Sequence, residues 1–401
     1  MNFDIDLTFG VWYLILDELK STPILSQEGN NQYLFEIRFM KLGIDASRAF
    51  GRKRTGTEEY SYQIIKHLAK MKIDSQVVLY LRKKDLKNID FDLPNNFKLK
   101  IISPSRFWTQ IGLASEMMIN KPDILFIPSY TVPQIHSRKT TVTIHGLEYR
   151  YFPECYSLKE RFILELNTQF SIKWASKIIV PSESTKKDLI KFYKVIPDKI
   201  KVVYHGIGIT NHESRITNRD KNFNSLFIGR LEKRKNLVNL IKAFELFKNN
   251  IQYPISNIQL ILAGKNGLGF SMIKREIQKS PYGKDIVLKD YISEKEKSEL
   301  YKNADLFILP SFYEGFGLPI LEAMSYGIPV ICSNTSSLPE VAGGAALLIN
   351  PNNPKEIAEA MNKVFSDDAL RKKMIEKGFE NIKKFSWKKC ARETMEILLH
   401  C

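Results

Sequence analysis

Apolar runs of four to six residues, each closed by a polar or glycine-bearing turn, recur along the chain from residue 40 onward. They fall at 40–46 (MKLGIDA), 76–81 (QVVLYL), 123–128 (DILFIP), 139–145 (KTTVTIH), 177–181 (KIIVP) and 200–204 (IKVVY). Runs without alternation suit strands buried on both faces, as in a parallel sheet. Between them the period lengthens. Tyr60, Ile64, Ile65 and Leu68 share one face of a helix starting near Thr57, and a second helical pattern covers roughly 157–175. Strand and helix taken in turn are the rhythm of a doubly wound fold.

The stretch 207–223 is polar and has no period, so it reads as a linker. After it the alternation restarts, with strand-like runs at 225–229, 258–263, 286–289, 305–310 and 328–332. Helices are expected near Asn236 and near Ser293, where Ser293 and Glu296 have the spacing of a capping box. A last helix follows Phe385-Ser386-Trp387. The expected class is α/β: two Rossmann-like doubly wound domains, 40–206 and 224–384, facing across a cleft that is the default ligand site. Residues 385–401 form a terminal helix. Residues 1–39, a short apolar patch and then a polar stretch, stand outside this rhythm and read as an N-terminal extension, with Met40 an equally readable start.

Composition adds one point. Apolar residues make up 44% and charged residues 26%, as in an ordinary globular chain, but the net charge is +16. That excess points to an anionic partner, whether nucleic acid, an acidic membrane surface or a phosphorylated small molecule. Cys155, Cys332, Cys390 and Cys401 form no C-x-x-C pair, so neither a zinc site nor a disulfide framework is signalled, and a reducing cytoplasm is expected. No run reaches the ~18 apolar residues that would span a bilayer. The acidic start, Asp4 and Asp6, does not suit a secretory signal.

Candidate chemistry is densest at 310–322 (PSFYEGFGLPILE). A buried strand ends at Pro310, a glycine-broken loop follows, Pro319 suits the first turn of a helix, and Gly327 suits its end. The N–H groups of Gly315, Phe316, Gly317 and Leu318 would then face outward at a helix N-terminus, ready for a diphosphate. Glu314 and Glu322 bracket that point and could accept sugar hydroxyls. Taken singly, Glu322 could equally complement the helix dipole and Glu314 be solvated. In 229–236 (GRLEKRKN), Arg230 and Lys235 are placed to reach phosphates at the mouth of the second sheet, although a basic run alone more often lies in solvent. Gly51 and Gly56 have P-loop spacing, but Thr57-Glu58 follow where Lys and Ser or Thr are needed; a glycine turn approached by phosphate or sugar remains. His145, at the end of a first-domain strand, faces the expected crevice, though a lone histidine is more often structural. Asp4-Ile5-Asp6 and Asp90-Phe91-Asp92 have Asp-x-Asp spacing but lie in the extension and in a loop, so no metal is expected.

The order of these signals is more specific than any one of them. Glu314-x7-Glu322, Arg230-x4-Lys235, His145 and the Gly51/Gly56 loop together resemble the family 4 glycosyltransferases of the GT-B fold, over about 41–398. The resemblance is strongest over 224–351, including 336–344 (SSLPEVAGG). It implies retaining transfer of a hexose-type sugar from a nucleotide diphosphate sugar to a glycan or lipid-linked acceptor, without metal or other cofactor. It gives Arg230 and Lys235 the leaving diphosphate, Glu314 the donor sugar's hydroxyls, and Glu322 the ribose. Phe316, Gly317 and Leu318 would give backbone contacts, His145 the reacting face, Gly56 a place near the phosphate, and the stretch with Asp290 and Tyr291 the base. The 385–401 helix would cross back to the first domain. Two departures stand out: Gly146 follows His145 where many members have Asp, and residues 1–39 have no family counterpart. An epimerase, or a sucrose- or glycogen-type synthase on the same fold, is the alternative. Specific nucleic-acid binding is not expected, because the basic residues are spread along the chain rather than interleaved with aromatics on one module. The excess charge left over is expected to give peripheral contact with the inner face of an anionic membrane.

Overall fold

The computed structural model describes residues 40–51, 54, 56–104, 107–208, 222–251 and 257–401, all in one compact unit. The expected extension 1–39 lies outside the described residues. The first sheet has seven strands: β1 (Lys41–Asp45), β2 (Gln76–Leu81), β3 (Phe97–Ile101), β4 (Ile124–Ile127), β5 (Lys139–Thr143), β6 (Lys177–Val180) and β7 (Ile200–Val202). The second has six: β8 (Asn222–Ile228), β9 (Asn257–Ala263), β10 (Ile286–Lys289), β11 (Leu306–Leu309), β12 (Val330–Ser333) and β13 (Leu347–Ile349). Their orders are β3-β2-β1-β4-β5-β6-β7 and β10-β9-β8-β11-β12-β13, parallel throughout. Each order reverses direction once, between β1 and β4 and between β8 and β11. Ligands of such sheets bind beyond the strand C-termini at that switch.

Eight helices matter below: α1 (Gly56–Leu68), α2 (Leu158–Trp174), α3 (Glu183–Tyr193), α4 (Leu237–Asn249), α5 (Glu294–Lys302), α6 (Leu318–Ser325), α7 (Leu338–Ala342) and α8 (Trp387–Leu399). Their starts follow local chemistry. Ser157 and Ser293 cap α2 and α5 in reciprocal capping boxes with Glu160 and Glu296. One apolar core fills the second domain, and two cover the faces of the first sheet. In the last helix, α8, Trp387, Cys390, Ala391, Met395 and Leu398 are buried in the same cluster as Tyr60, Ile64 and Leu68 of α1. The terminal helix therefore completes the first domain's core.

Two expectations need correction. The linker is shorter than 207–223: Ile207 bridges Ser386, and Asn222 and Phe223 open β8, with Phe223 buried in the second core. Positions 209–221 of that linker lie outside the described residues. β5 stops at Thr143, so His145 sits in the loop beyond the strand. The helix expected near Asn236 is present: α4 begins at Leu237 with Asn236 at its N-cap position, after a single 3-10 turn over Lys233–Lys235.

Candidate active site

Two loops meet at the switch point of the second sheet, one after β8 and one after β11. They are stitched together by backbone and amide groups. The Phe312 N–H donates to Arg234 O at 3.0 Å, and Asn236 Nδ2 donates to Pro310 O at 3.0 Å. Asn236 holds a left-handed conformation, φ 61°, which asparagine tolerates better than most residues. This turn aims Arg234 and Lys235 back at the β11 loop.

Glu314 is the hub of that contact. Lys235 Nζ donates to its Oε1, Arg234 Nη1 reaches its Oε2 at 3.2 Å, and the same Nη1 donates to Tyr313 O at 2.7 Å. Burial alone would raise the Glu314 carboxyl, but Lys235 and Arg234 outweigh it and hold it down at about 2. Burial draws Lys235 below the ordinary lysine value, against the support of Glu314. Glu232 braces Arg234 from the other side, accepting from Nη2 at 2.8 Å. Arg230 is freer: its side chain is 57% exposed and stands 4.0 Å from Glu232. Of the basic residues expected to meet phosphate, Lys235 is built into the loop and Arg230 projects beside it. Arg234, which sequence reading passed over inside the same basic run, carries half of the Glu314 contact.

The segment after Glu314 presents a row of amides. Ser337 Oγ lies 2.9 Å from Glu314 O and 2.6 Å from Phe316 O, while Ser182 and Thr185 hydroxyls reach Gly315 O at 2.8 and 3.2 Å. Three successive carbonyls are thus occupied by hydroxyls. Among the described residues, the N–H groups of Gly315, Phe316, Gly317 and Leu318 have no protein acceptor. Gly317, at φ 116°, caps α6, and Pro319 lies in its first turn. Free N–H groups at a helix N-terminus make an anion cradle. Ser336 Oγ takes the Glu314 N–H at 3.0 Å, so the 336–337 pair braces the loop from below.

Glu322 sits on α6, one turn in. It accepts from Lys297 Nζ and Tyr301 OH, each at 2.8 Å, both on α5. Burial disfavours the charge on Lys297, but Glu322 and Glu294 hold it above the ordinary lysine value. Asp290 and Tyr291 lie between β10 and α5, exposed at the strand's C-terminal end, where Asp290 Oδ1 accepts the Tyr291 N–H at 2.7 Å. The dipole-only and solvated alternatives for the two glutamates are both replaced by built contacts.

From the first domain comes His145. Its Nε2 bonds Pro128 O at 2.8 Å, the carbonyl just beyond β4, while Nδ1 is buried without a protein partner. Burial pushes its pKa down to about 4, against the support of Pro128. The ring is therefore neutral at pH 7, with its proton on Nε2 toward the carbonyl and a bare lone pair on Nδ1. It packs against Tyr60 at 4.8 Å and His205 at 5.5 Å between ring centres. His205 is also buried, and burial followed by the neighbouring His145 holds it well below the usual range. Gly56 opens α1, and a Cβ there would meet nothing within 4 Å, so the protein itself does not require glycine at this point; Gly51 stands half-buried before it. Asp90 of the Asp-x-Asp pair accepts the Tyr62 hydroxyl at 2.7 Å.

The two neutral imidazoles carry a pH signature. An unfolded chain protonates both near the ordinary value of 6.5, whereas in the native protein burial holds His145 down to about 4 and His205 well below its ordinary value. Stability is therefore complete above pH 6.5 and falls as pH drops from there toward 4, His145 alone losing on the order of 3 kcal/mol across that window. Thermal melts from pH 8 to 4 should show a flat region and then this decline, shallower in His205→Phe, which keeps the ring packing. A decline of the same slope in that variant would remove His205 from the account.

The two domains touch at the site itself. A Cβ on Gly315 would stand 1.8 Å from His145 O, so only glycine lets the two loops meet. Tyr313 OH donates to Asp188 Oδ2 on α3 at 2.8 Å and accepts the Leu147 N–H at 3.1 Å. Glu340 of α7 accepts the Glu183 N–H at 2.9 Å at the start of α3. Sequence reading missed these partners. Their signal lay in two distant segments, 182–188 and 336–340, whose pairing only the fold reveals.

Two parallel sheets with their C-terminal edges facing, an anion cradle on one and a neutral histidine on the other, define a two-domain GT-B glycosyltransferase. The profile of the glycosyltransferase family 4 matches residues 54–210 and that of the glycosyl transferases group 1 matches residues 209–381, and the chain belongs to this family. It is 31% identical over 280 residues to the O-antigen chain mannosyltransferase B of Escherichia coli, covering 67% of this chain and 72% of that protein. It is 27% identical over 243 residues to the O-antigen chain mannosyltransferase RfbU of Salmonella typhimurium, covering 59% and 63%. Among solved structures, the sucrose-phosphate synthase of Thermosynechococcus elongatus superposes with a TM-score of 0.70 at 18% identity, over 89% of this chain and 98% of that one. HepE of Anabaena, in complex with UDP and glucose, does so with a TM-score of 0.68 at 17% identity, over 90% and 100%. These structural likenesses concern the fold.

Proposed function

We propose that the protein moves a hexose from a nucleoside diphosphate sugar to a glycan or lipid-linked acceptor in surface-polysaccharide synthesis, with retention of anomeric configuration. The observation that carries this reading is the row of free N–H groups at 315–318 beside Lys235, at the switch point of the second sheet. Sugar transfer builds negative charge on the departing diphosphate, and fixed cations and amides stabilise that charge more than they stabilise the ground state. Lys235, Arg230 and the amide row fill this role, so no metal is assigned to it. Glu322 on α6 is the residue offered to the nucleotide ribose, and Glu314 the one offered to donor hydroxyls. His145, neutral and with a bare Nδ1, suits a sugar hydroxyl at the reacting face. Kinship with the E. coli O-antigen mannosyltransferase makes mannose the first sugar to test. The purified protein is to be given GDP-mannose, UDP-glucose and UDP-galactose with lipid-linked oligosaccharide acceptors, with and without EDTA. The reading expects a lengthened glycan with an α-linkage from an α-donor, undiminished by EDTA. Free epimerised sugar nucleotide without glycan, an inverted linkage or loss of activity in EDTA would each overturn the corresponding part.

The same reading includes contact with an anionic membrane. Helix α2 exposes Leu158 at 85%, Phe162 at 64%, Ile163 at 46% and Phe170 at 42%, interleaved with exposed Lys159, Arg161 and Lys173. Exposed aliphatic and aromatic side chains beside basic ones, on a chain of net charge +16, match an acidic lipid surface. Among the described residues no helix is long and apolar enough to cross a membrane. Co-sedimentation with phosphatidylglycerol vesicles should exceed that with phosphatidylcholine and be lost in Phe162→Glu/Phe170→Glu. No preference for the anionic vesicles would remove the membrane from the proposal. A change of oligomeric state in that variant, with lipid binding intact, would assign the face to a second copy.

A further inference from the structure

The donor loop is shaped from two directions. Its own domain offers one hydroxyl to two of the three carbonyls, since Ser337 Oγ lies within reach of both Glu314 O and Phe316 O and is nearer the latter. The carbonyl between them, Gly315 O, is held by the other domain, through the Ser182 hydroxyl at 2.8 Å and the Thr185 hydroxyl at 3.2 Å. Both side chains are fully buried, at the cap and in the first turn of α3. Ser182 has a second task, because its Oγ also accepts the Thr185 N–H at 3.1 Å as the cap of that helix. In a trans peptide the C=O and the following N–H point in opposite directions. Fixing Gly315 O toward α3 therefore fixes the Phe316 N–H away from it, along the row of amides that continues through Gly317 and Leu318. Around this contact the same helix makes three more bonds to the same region: Asp188 accepts from Tyr313, and the Glu183 and Ser184 N–H groups donate to Glu340.

We infer that Ser182 and Thr185 are positioning residues for sugar transfer: from the acceptor-side domain they hold the Gly315 carbonyl and so orient the Phe316 amide toward the leaving diphosphate. The inference rests on the proposed reading of the donor site. It makes completion of the charge-stabilising cradle depend on both domains being together. A donor bound to the second domain alone meets a loop whose central peptide is free to turn. An α3 docked on that loop supplies the two hydroxyls and sets it. Turnover, more than donor affinity, is then the quantity these residues control, because the amide they orient meets charge that develops at the transition state.

The test uses the full chain and whichever of GDP-mannose and UDP-glucose the wild type consumes, reading nucleoside diphosphate release. Thr185→Val removes one hydroxyl and keeps the shape. Ser182→Ala removes the other hydroxyl without adding charge, at the cost of the helix cap. The double variant is expected to lose about 10²-fold in kcat, with donor KM within about threefold and melting close to wild type. Thr185→Ser and Ser182→Thr, which keep the donors, should restore kcat to within about threefold. Glu314→Gln is run alongside. A folded Ser182→Ala/Thr185→Val protein with wild-type kcat, beside an impaired Glu314→Gln, overturns the positioning role and leaves the donor site standing. The same result follows if Thr185→Ser is as slow as Thr185→Val, since the effect would then be packing. Wild-type rates in Glu314→Gln as well, or no consumption of either donor by the native chain, overturn the reading and this inference with it.

Discussion

Replacing Glu314 by glutamine is expected to lower sugar transfer by at least ~10²-fold while the protein still folds. Glutamine keeps the size of the side chain and an oxygen for Arg234, but removes the negative charge that supports a buried ammonium. Burial already draws Lys235 below the ordinary lysine value, and the charge of Glu314 is the largest influence opposing it. Without that charge the ammonium gives up its proton more readily, and the cradle loses the cation proposed to face the leaving group. The defect should therefore deepen as pH rises, because a neutral Lys235 is the cause. Alanine is a poorer test. It would take away the acceptor oxygens of Lys235 and Arg234 as well as the charge and leave a cavity, a further loss of stability that could be mistaken for a catalytic one. Initial rates of nucleoside diphosphate release at pH 6.5 and 8.5, with thermal melts on the same samples, separate the two effects. Activity within about fivefold of wild type at both pH values would show that the Glu314–Lys235 pair is structural only.

That coupling was half legible in the sequence. The spacing of Glu314 and Glu322 and the basic run at 230–235 place the right residues at strand ends, because strand, loop and helix follow each other in a fixed order. What the spacing could not give is which basic residue turns inward. Lys235 and Arg234 do so because the left-handed Asn236 bends the chain between the 3-10 turn and α4, while Arg230 stays 57% exposed. The partners of Glu322 illustrate the same limit. Lys297 and Tyr301 are one helical turn apart and look like ordinary positions of a surface helix, until packing of α5 on α6 brings both to one carboxylate.

The fold shows where pattern reading works and where it stops. Interior strands such as β4 and β11 are unbroken apolar runs and are legible at once. The two strands that went unread, β3 and β13, both lie at sheet edges. β3 alternates, with Lys98 exposed, and β13 has three residues with Leu348 45% exposed. An edge strand is covered on fewer sides and guarded by charge, so its sequence lacks the signal of an interior one. The linker was overextended for a related reason. Asn222 and Asn224 flank the buried Phe223, and one apolar residue between two polar ones does not announce a strand that its neighbour β9 then completes in parallel register.

Gly315→Ala is expected to disable sugar transfer through a single methyl group. The added Cβ would stand 1.8 Å from the His145 carbonyl oxygen and 3.3 Å from the Gly146 Cα. Both are backbone atoms beyond β5, and neither can swing aside as the end of a side chain would. Relief requires the donor loop and the first domain to part by more than an ångström. Such a shift would draw Gly315 O off Ser182 and Thr185 and carry the reacting face of His145 away from the cradle. Misplacement on that scale costs transfer about 10²-fold or more, even when each group is still present. The apolar cores of both domains lie elsewhere, so melting should change little. Because the amide row and Glu322 belong to the second domain, affinity for a nucleoside diphosphate should stay within about tenfold of wild type. A variant that binds UDP or GDP, melts normally and fails to transfer is therefore the expected result, measured by calorimetry and rates on one preparation. An alanine variant that transfers at a rate near wild type would mean that the domains do not meet at Gly315 during turnover, and that the contact seen between the two loops is not the arrangement in which the sugar moves.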